Sequence, residues 1–147
     1  MQHRQVANTR SHQKRVLVVE DDGWIRTVMR DLLSDEGYEV VEAADGRTAI
    51  RLVAEQCPDV MLLDVAMPDF SGADVLLELR SRRRTRTLPV VVVSAYPRVL
   101  TTMSTESVSC VLMKPVHVDD LLMAVQRALA PEVEQTDCTP LELAISN

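Results

Sequence analysis

The sequence predicts an α/β domain: a doubly wound, five-stranded parallel sheet with helices on both faces. Three observations predict it. Short apolar, β-branched runs alternate five times with segments whose apolar residues recur every three to four positions. The runs are apolar throughout rather than on alternate residues, as strands covered on both faces must be. The chain has 147 residues, 46% hydrophobic and 26% charged, which suits one globular domain. Right-handed crossovers then distribute the helices over both faces.

Each element follows in order. Residues 1–14 are polar and aperiodic, and are expected to form a flexible arm. Val16-Leu17-Val18-Val19 reads as the first strand and ends in Glu20-Asp21-Asp22-Gly23. Ile25, Val28, Met29, Leu32 and Leu33 mark one face of a first helix, and Gly37 stands where a C-cap glycine belongs. Tyr38 to Ala43 is the second strand. Asp45-Gly46 opens a second helix carrying Ala49, Leu52 and Val53, which Pro58 stops. Asp59 to Leu63 is the third strand, ending at Asp64, and a loop with Pro68 and Gly72 follows. A third helix is predicted over Ala73 to about Arg84. Val90 to Val93 is the fourth strand, ending at Ser94. Tyr96 to Ser109 is rich in Ser and Thr, so a short or irregular fourth helix is expected there. Cys110 to Met113 is the fifth strand, followed by Lys114-Pro115. Asp119 is predicted to cap a last helix with Leu121, Leu122, Val125 and Leu129 inward. The organisation is thus an arm (1–14), a folded body (15–130) and an acidic tail (131–147), in which Leu141, Leu143 and Ile145 alternate.

Charge and composition exclude several classes. The net charge is −6, but the arm carries Arg4, Arg10, Lys14 and, at its border, Arg15 against no acid, and the tail carries Glu132, Glu134, Asp137 and Glu142 against no base. An acidic body is a poor match to nucleic acid. No apolar run approaches the roughly 20 residues of a membrane span, and no apolar segment follows the basic N-terminal residues as in a secretory signal. Cys57, Cys110 and Cys138 are odd in number and form no CxxC pair, so reduced thiols and a cytoplasmic location are expected. His3, His12 and His117 lack metal-ligand spacing.

Polar residues at the ends of buried strands carry the chemistry. Glu20, Asp21 and Asp22 end the first strand, Asp64 the third, Ser94 the fourth and Lys114 the fifth. In a doubly wound sheet these ends share one edge, the edge where ligands bind. Two carboxylates about 4 Å apart repel by roughly 4 kcal/mol at an effective dielectric of 20, so converging acids call for a cation. With oxygen donors alone, that cation is Mg²⁺, with Mn²⁺ the alternative, rather than zinc or copper. Asp21 and Asp22 also suit a simple helix cap. Asp64 is the candidate nucleophile: a carboxylate can attack phosphorus to give an aspartyl phosphate, with Lys114 and the cation spreading the charge and Ser94 donating to a phosphoryl oxygen.

The motifs Val18-Val19-Glu20-Asp21-Asp22, Leu63-Asp64-Val65-Ala66-Met67-Pro68 with Gly72, Val93-Ser94-Ala95 and Lys114-Pro115 resemble those of the receiver domain of two-component response regulators. The likeness spans residues 15 to 130. It implies the flavodoxin-like strand order 2-1-3-4-5. It implies a stand-alone, non-enzymatic signalling protein that takes a phosphoryl group onto Asp64 from a histidine kinase or phosphotransfer protein. The output would be protein–protein interaction or a phosphoryl shuttle or sink, with no direct nucleic-acid or membrane role; a homodimer stays open. It further implies that Asp21 and Asp64 ligate Mg²⁺, that the Ala66 backbone carbonyl is another ligand, that Glu20 acts through water, and that the Lys114-Pro115 bond is cis. Asp22, Tyr96 and Val111 are candidate modulators. Val111 departs from the family, which often has Tyr or Phe three residues before the Lys. The segment from Tyr96 to Ser109 is therefore expected to become ordered on phosphorylation in place of an aromatic switch.

Other readings compete with this one. A degenerate receiver would act as a constitutive interaction module, a role the intact Asp21, Asp64, Ser94 and Lys114 disfavour. A flavodoxin-like nucleotide binder should carry a Ser/Thr/Gly phosphate loop after the first strand, where acids stand here. An aspartate-based phosphatase should have Asp where Ala66 stands. Arg80, Arg82, Arg83, Arg84 and Arg86 read as a solvated helix end or as a dock for an acidic partner.

Overall fold

The structure, a computed structural model, describes residues 13–95 and 108–130. Its elements are β1 (Arg15–Val19), α1 (Gly23–Asp35), β2 (Glu39–Ala43), α2 (Gly46–Gln56), β3 (Val60–Asp64), α3 (Gly72–Arg80), β4 (Val90–Ser94), β5 (Cys110–Met113) and α4 (Val118–Ala128). The five strands are parallel in the order β2-β1-β3-β4-β5, the predicted doubly wound topology. The described residues hold four helices. The expected fourth of five falls on Tyr96 to Ser109, of which only Val108 and Ser109 are described. The arm, apart from Gln13 and Lys14, and the whole tail 131–147 also lie outside the described residues.

Side chains along a strand alternate between the two faces, and the sheet divides its core accordingly. Leu17, Val19, Met61, Leu63, Val90, Val92 and Val111 point to one face, with Ala49 and Val53 of α2 and Val75, Leu76 and Leu79 of α3. Val16, Val18, Val60, Leu62, Val91, Val93 and Leu112 point to the other, with Met29 and Leu33 of α1 and Leu121 and Val125 of α4. β3 and β4 are buried along their whole length, while β2, at an edge, is half-buried over four of its five residues. Each fully buried Val, Leu or Met contributes roughly 1.5–3 kcal/mol, so the two faces supply most of the driving force. That drive sets the strand register.

Helix ends depart from the sequence reading. α3 stops at Arg80, not near Arg84. The Arg80 guanidinium turns back to donate to the carbonyls of Thr85 and Arg86, and the Thr85 hydroxyl donates to the Leu79 carbonyl at 2.6 Å. The Thr85 bond gives a carbonyl of the helix end a partner, and the Arg80 bonds hold residues 81–87 in turns. Asp119 is not the cap of α4: His117 occupies that position without a side-chain cap bond, and Asp119 and Asp120 lie in the first turn, where acids offset the helix dipole. The starts of α1 and α2 follow the sequence reading, while α3 begins one residue earlier than predicted, at Gly72, with a cap at Ser71 that the reading did not name. Asp22, Asp45 and Ser71 cap α1, α2 and α3, Ser71 in a reciprocal pair with Asp74. Gly37 has φ +96°, the left-handed conformation expected after α1. No helix among the described residues is long and apolar enough to cross a membrane.

Candidate functional site

Pairing carries the polar strand ends to one place. Val19 of β1 lies opposite Leu63 of β3, so the next residues, Glu20 and Asp64, emerge side by side. Ser94 of β4 lies opposite Met113 of β5, and the Lys114 N–H donates to the Ser94 carbonyl at 2.8 Å. Ser94 is buried there, at the strand end beside Asp64. The Lys114 stem then reaches across the sheet edge. Its Nζ lies 3.1 Å from Glu20 Oε1 and 3.6 Å from Asp64 Oδ2. Its peptide bond to Pro115 is cis.

Glu20, Asp21 and Asp64 form the one candidate metal-binding group among the described residues: an oxygen of each lies within 4.8 Å of the others. Glu20 and Asp64 are buried and Asp21 is exposed, so the cluster opens to solvent at Asp21. The carboxylate oxygens of Glu20 and Asp64 have defined places. Glu20 Oε2 accepts from the Asp22 N–H at 3.2 Å, and Asp64 Oδ1 accepts from the Ala66 N–H at 3.0 Å. Arg26, which the sequence reading missed, donates to the Glu20 carbonyl at 2.7 Å and pairs with Glu42, fixing the backbone that aims Glu20. Nothing in helical periodicity distinguishes that arginine from a solvated one.

The site is electrostatically unbalanced. Burial first, and then the facing charge of Asp64, push the Glu20 carboxyl up to about 7 from its ordinary 4.5, although Lys114 and the Asp22 N–H pull it down. Burial opposes the charge on Lys114, but its hydrogen bond to Glu20 and the charges of Asp64 and Glu20 more than offset that, and its pKa is raised. One ammonium for three acids leaves negative charge that a hard divalent cation would neutralise. A donor set made only of oxygen fits Mg²⁺.

The remaining candidates separate. Asp22 accepts from the N–H groups of Trp24 and Ile25 and is thereby committed to capping α1. Val111 is buried on β5 against the α2/α3 face of the core. Tyr96 lies outside the described residues. Gly72, read from the sequence only as loop punctuation, sits where α3 meets the end of β3: a Cβ there would lie 2.4 Å from Val65 Cα and 2.9 Å from the Asp64 carbonyl oxygen. Beside the acidic cluster, Trp24, Ile25, Val28 and Leu32 of α1 face Pro115, Val116 and Val118 across a largely apolar groove of about 530 Å³. Trp24 is 77% exposed. The sequence signal for that groove was an apolar residue set broader than the stripe one helix face needs to bury.

The model of the response regulator receiver domain family matches residues 16–126. The chain belongs to this family. The receiver is 36% identical over 136 residues to the regulatory protein AtoC of Escherichia coli, covering 90% of this chain and 29% of AtoC. It is 34% identical over 120 residues to the transcriptional regulatory protein PdtaR of Mycobacterium tuberculosis, covering 80% of this chain and 57% of PdtaR. The chain thus spans less than two thirds of these curated relatives. Among solved structures, the response regulator TrrA of Thermotoga maritima in complex with Mg²⁺-BeF is similar, with a TM-score of 0.73 and 29% identity over 80% of this chain and 100% of that one.

Proposed function

We propose that this receiver takes a phosphoryl group onto Asp64 in a Mg²⁺-dependent reaction, from a histidine kinase or a phosphotransfer protein. It then acts through protein–protein contact or as a shuttle or sink, as a cytoplasmic phosphoacceptor rather than an enzyme. One observation carries the reading: Glu20, Asp21 and Asp64 converge within 4.8 Å with the Lys114 ammonium against two of them. The complex of similar TrrA with Mg²⁺-BeF supports it.

Each residue has a task. The Ala66 N–H holds one oxygen of Asp64, and the other faces Lys114. Attack by Asp64 forms a P–O bond to phosphorus while the P–N bond of the donor phosphohistidine breaks; the leaving electron pair stays on the imidazole nitrogen, which then takes up a proton. Lys114 stabilises the charge on the transferring oxygens, and the buried Ser94 offers its hydroxyl to one of them. Asp21, Asp64 and the Ala66 carbonyl would hold Mg²⁺, with Glu20 acting through water. When bound, the cation supplies neutralising charge for both the acids and the phosphoryl group. A role for Tyr96 in tuning loss of the phosphoryl group to water and the ordering of residues 96–109 on phosphorylation belong to the same proposal.

The test is incubation with a small phosphoryl donor, with and without Mg²⁺, read by intact mass. The expected result is one added phosphoryl group that requires Mg²⁺ and disappears in Asp64→Ala. A failure with both the small donor and a phosphorylated histidine protein would overturn the proposal and leave a constitutive interaction module.

A further inference from the structure

The five arginines between Arg80 and Arg86 have no part in the proposed phosphoryl transfer, and the structure gives them a form the sequence did not. Arg80 is spent inside the loop, on the carbonyls of Thr85 and Arg86. Backbone bonds from Arg82, Thr85, Arg86 and Leu88 hold the turns together. The loop thus presents Arg82, Arg83, Arg84 and Arg86 to solvent as an ordered rim. Arg82 pairs with Glu78. Among the described residues, Arg83, Arg84 and Arg86 have no acidic partner. Arg82, Arg83 and Arg84 border a pocket of about 350 Å³ whose floor includes the apolar Val53, Pro58 and Leu88. A guanidinium rim over an apolar floor fits a peptide in which acidic and apolar residues alternate.

We propose that this pocket docks the chain's own C-terminal segment, residues 131–147. The charges are complementary: Glu132, Glu134, Asp137 and Glu142 stand in that segment with no base among them. The pattern is complementary as well, since Glu132-Val133-Glu134 and Leu141-Glu142-Leu143 alternate as the pocket requires. The topology delivers the segment to the right edge. β5 runs parallel to β4, and only residues 114–117 separate it from α4, so α4 returns along the sheet and ends at the edge where β4 begins. The arginine loop directly precedes β4 and lies at that same edge. Eleven residues from Ala130 to Leu141 span up to about 38 Å when extended. A short tether gives an effective concentration in the millimolar range, enough for a weak contact to be well occupied.

The chain carries its own probes: Cys57 is exposed at the pocket and Cys138 lies within the segment, while Cys110 is buried. The full chain at low micromolar concentration is treated with a short bis-maleimide. Linkage is mapped by peptide mass and normalised to single-thiol labelling. The expected result is an intramolecular Cys57–Cys138 link that forms at least fivefold more slowly in Arg82→Ala/Arg83→Ala/Arg84→Ala, and likewise in 1 M NaCl, where the screening length falls to about 3 Å. The acidic-side variant Glu132→Gln/Glu134→Gln/Asp137→Asn/Glu142→Gln should slow it equally and leaves the folded body untouched. A rate indifferent to arginines, acids and salt would overturn the proposal, as would links that join two chains. Absence of the link together with binding of an added acidic peptide would overturn it in favour of an external partner.

Discussion

Glu20 is the residue whose energetics run against the fold. Its carboxyl sits at about 7 in the folded chain against an ordinary 4.5, because it is buried beside Asp64. Below pH 4.5 it is protonated in both states and stability is unaffected. Between 4.5 and 7 the folded state holds a proton the unfolded state has released, so metal-free stability falls as pH rises. Above 7 the whole penalty is present, about 3 kcal/mol at most. Urea denaturation in EDTA at pH 5 and pH 8 should show the wild type losing stability relative to Glu20→Gln. The mismatch of the carboxamide with Lys114 is the same at both pH values and cancels in that comparison. Parallel profiles would refute the penalty that burial and the facing Asp64 charge place on ionised Glu20. Glu20, Asp64, Ser94 and Lys114 were legible in the sequence because a polar residue at the end of a buried strand has no packing role there. Arg26 was not: its contact with the Glu20 carbonyl depends on how α1 lies against β1 and β2, which no local pattern encodes.

Elements show the same division. The strands were legible because the covering of both faces leaves an uninterrupted apolar run, and the starts of α1 and α2 because Asp22 and Asp45 supply the cap oxygens; the Ser71 cap of α3 was not read. The end of α3 was not legible, since arginines are good helix formers and only tertiary hydrogen bonds from Arg80 and Thr85 turn the chain away. The start of α3 depends on Gly72 for room rather than for backbone freedom. A methyl group there meets the backbone of Val65 and Asp64, neither of which can rotate aside. Gly72→Ala should therefore lower stability by about 1–3 kcal/mol and weaken Mg²⁺ binding, because the shift needed to admit the methyl moves the strand end that carries Asp64. Thermal denaturation and a Mg²⁺ titration of Trp24 fluorescence check both. A variant of unchanged stability and affinity would show that the helix start yields instead of the strand.

At the scale of the molecule, the parallel sheet places all its chemistry at one edge and leaves an apolar surface beside it. Trp24 projects from the first turn of α1 immediately after the acidic pair, and with Val28 and Val118 it keeps large apolar area in water. Under the proposed function, an exposed patch of that kind beside Asp64 suits the protein that donates the phosphoryl group. A tryptophan at the centre of such a contact is commonly worth 2 kcal/mol or more, about thirtyfold in affinity. Trp24→Ala removes no described polar contact of the cluster and should change stability by no more than about 0.5 kcal/mol. The expected outcome is a split: phosphorylation of Asp64 by a small donor stays within about twofold of wild type, while transfer from the cognate phosphohistidine protein falls at least tenfold. Equal loss with both donors would mean that Trp24 shapes the acidic cluster itself. Equal retention would place the partner on another face of the domain. Measuring both donors on one preparation separates recognition from chemistry, which the geometry sets side by side, since Lys114 lines the groove and the acidic cluster alike.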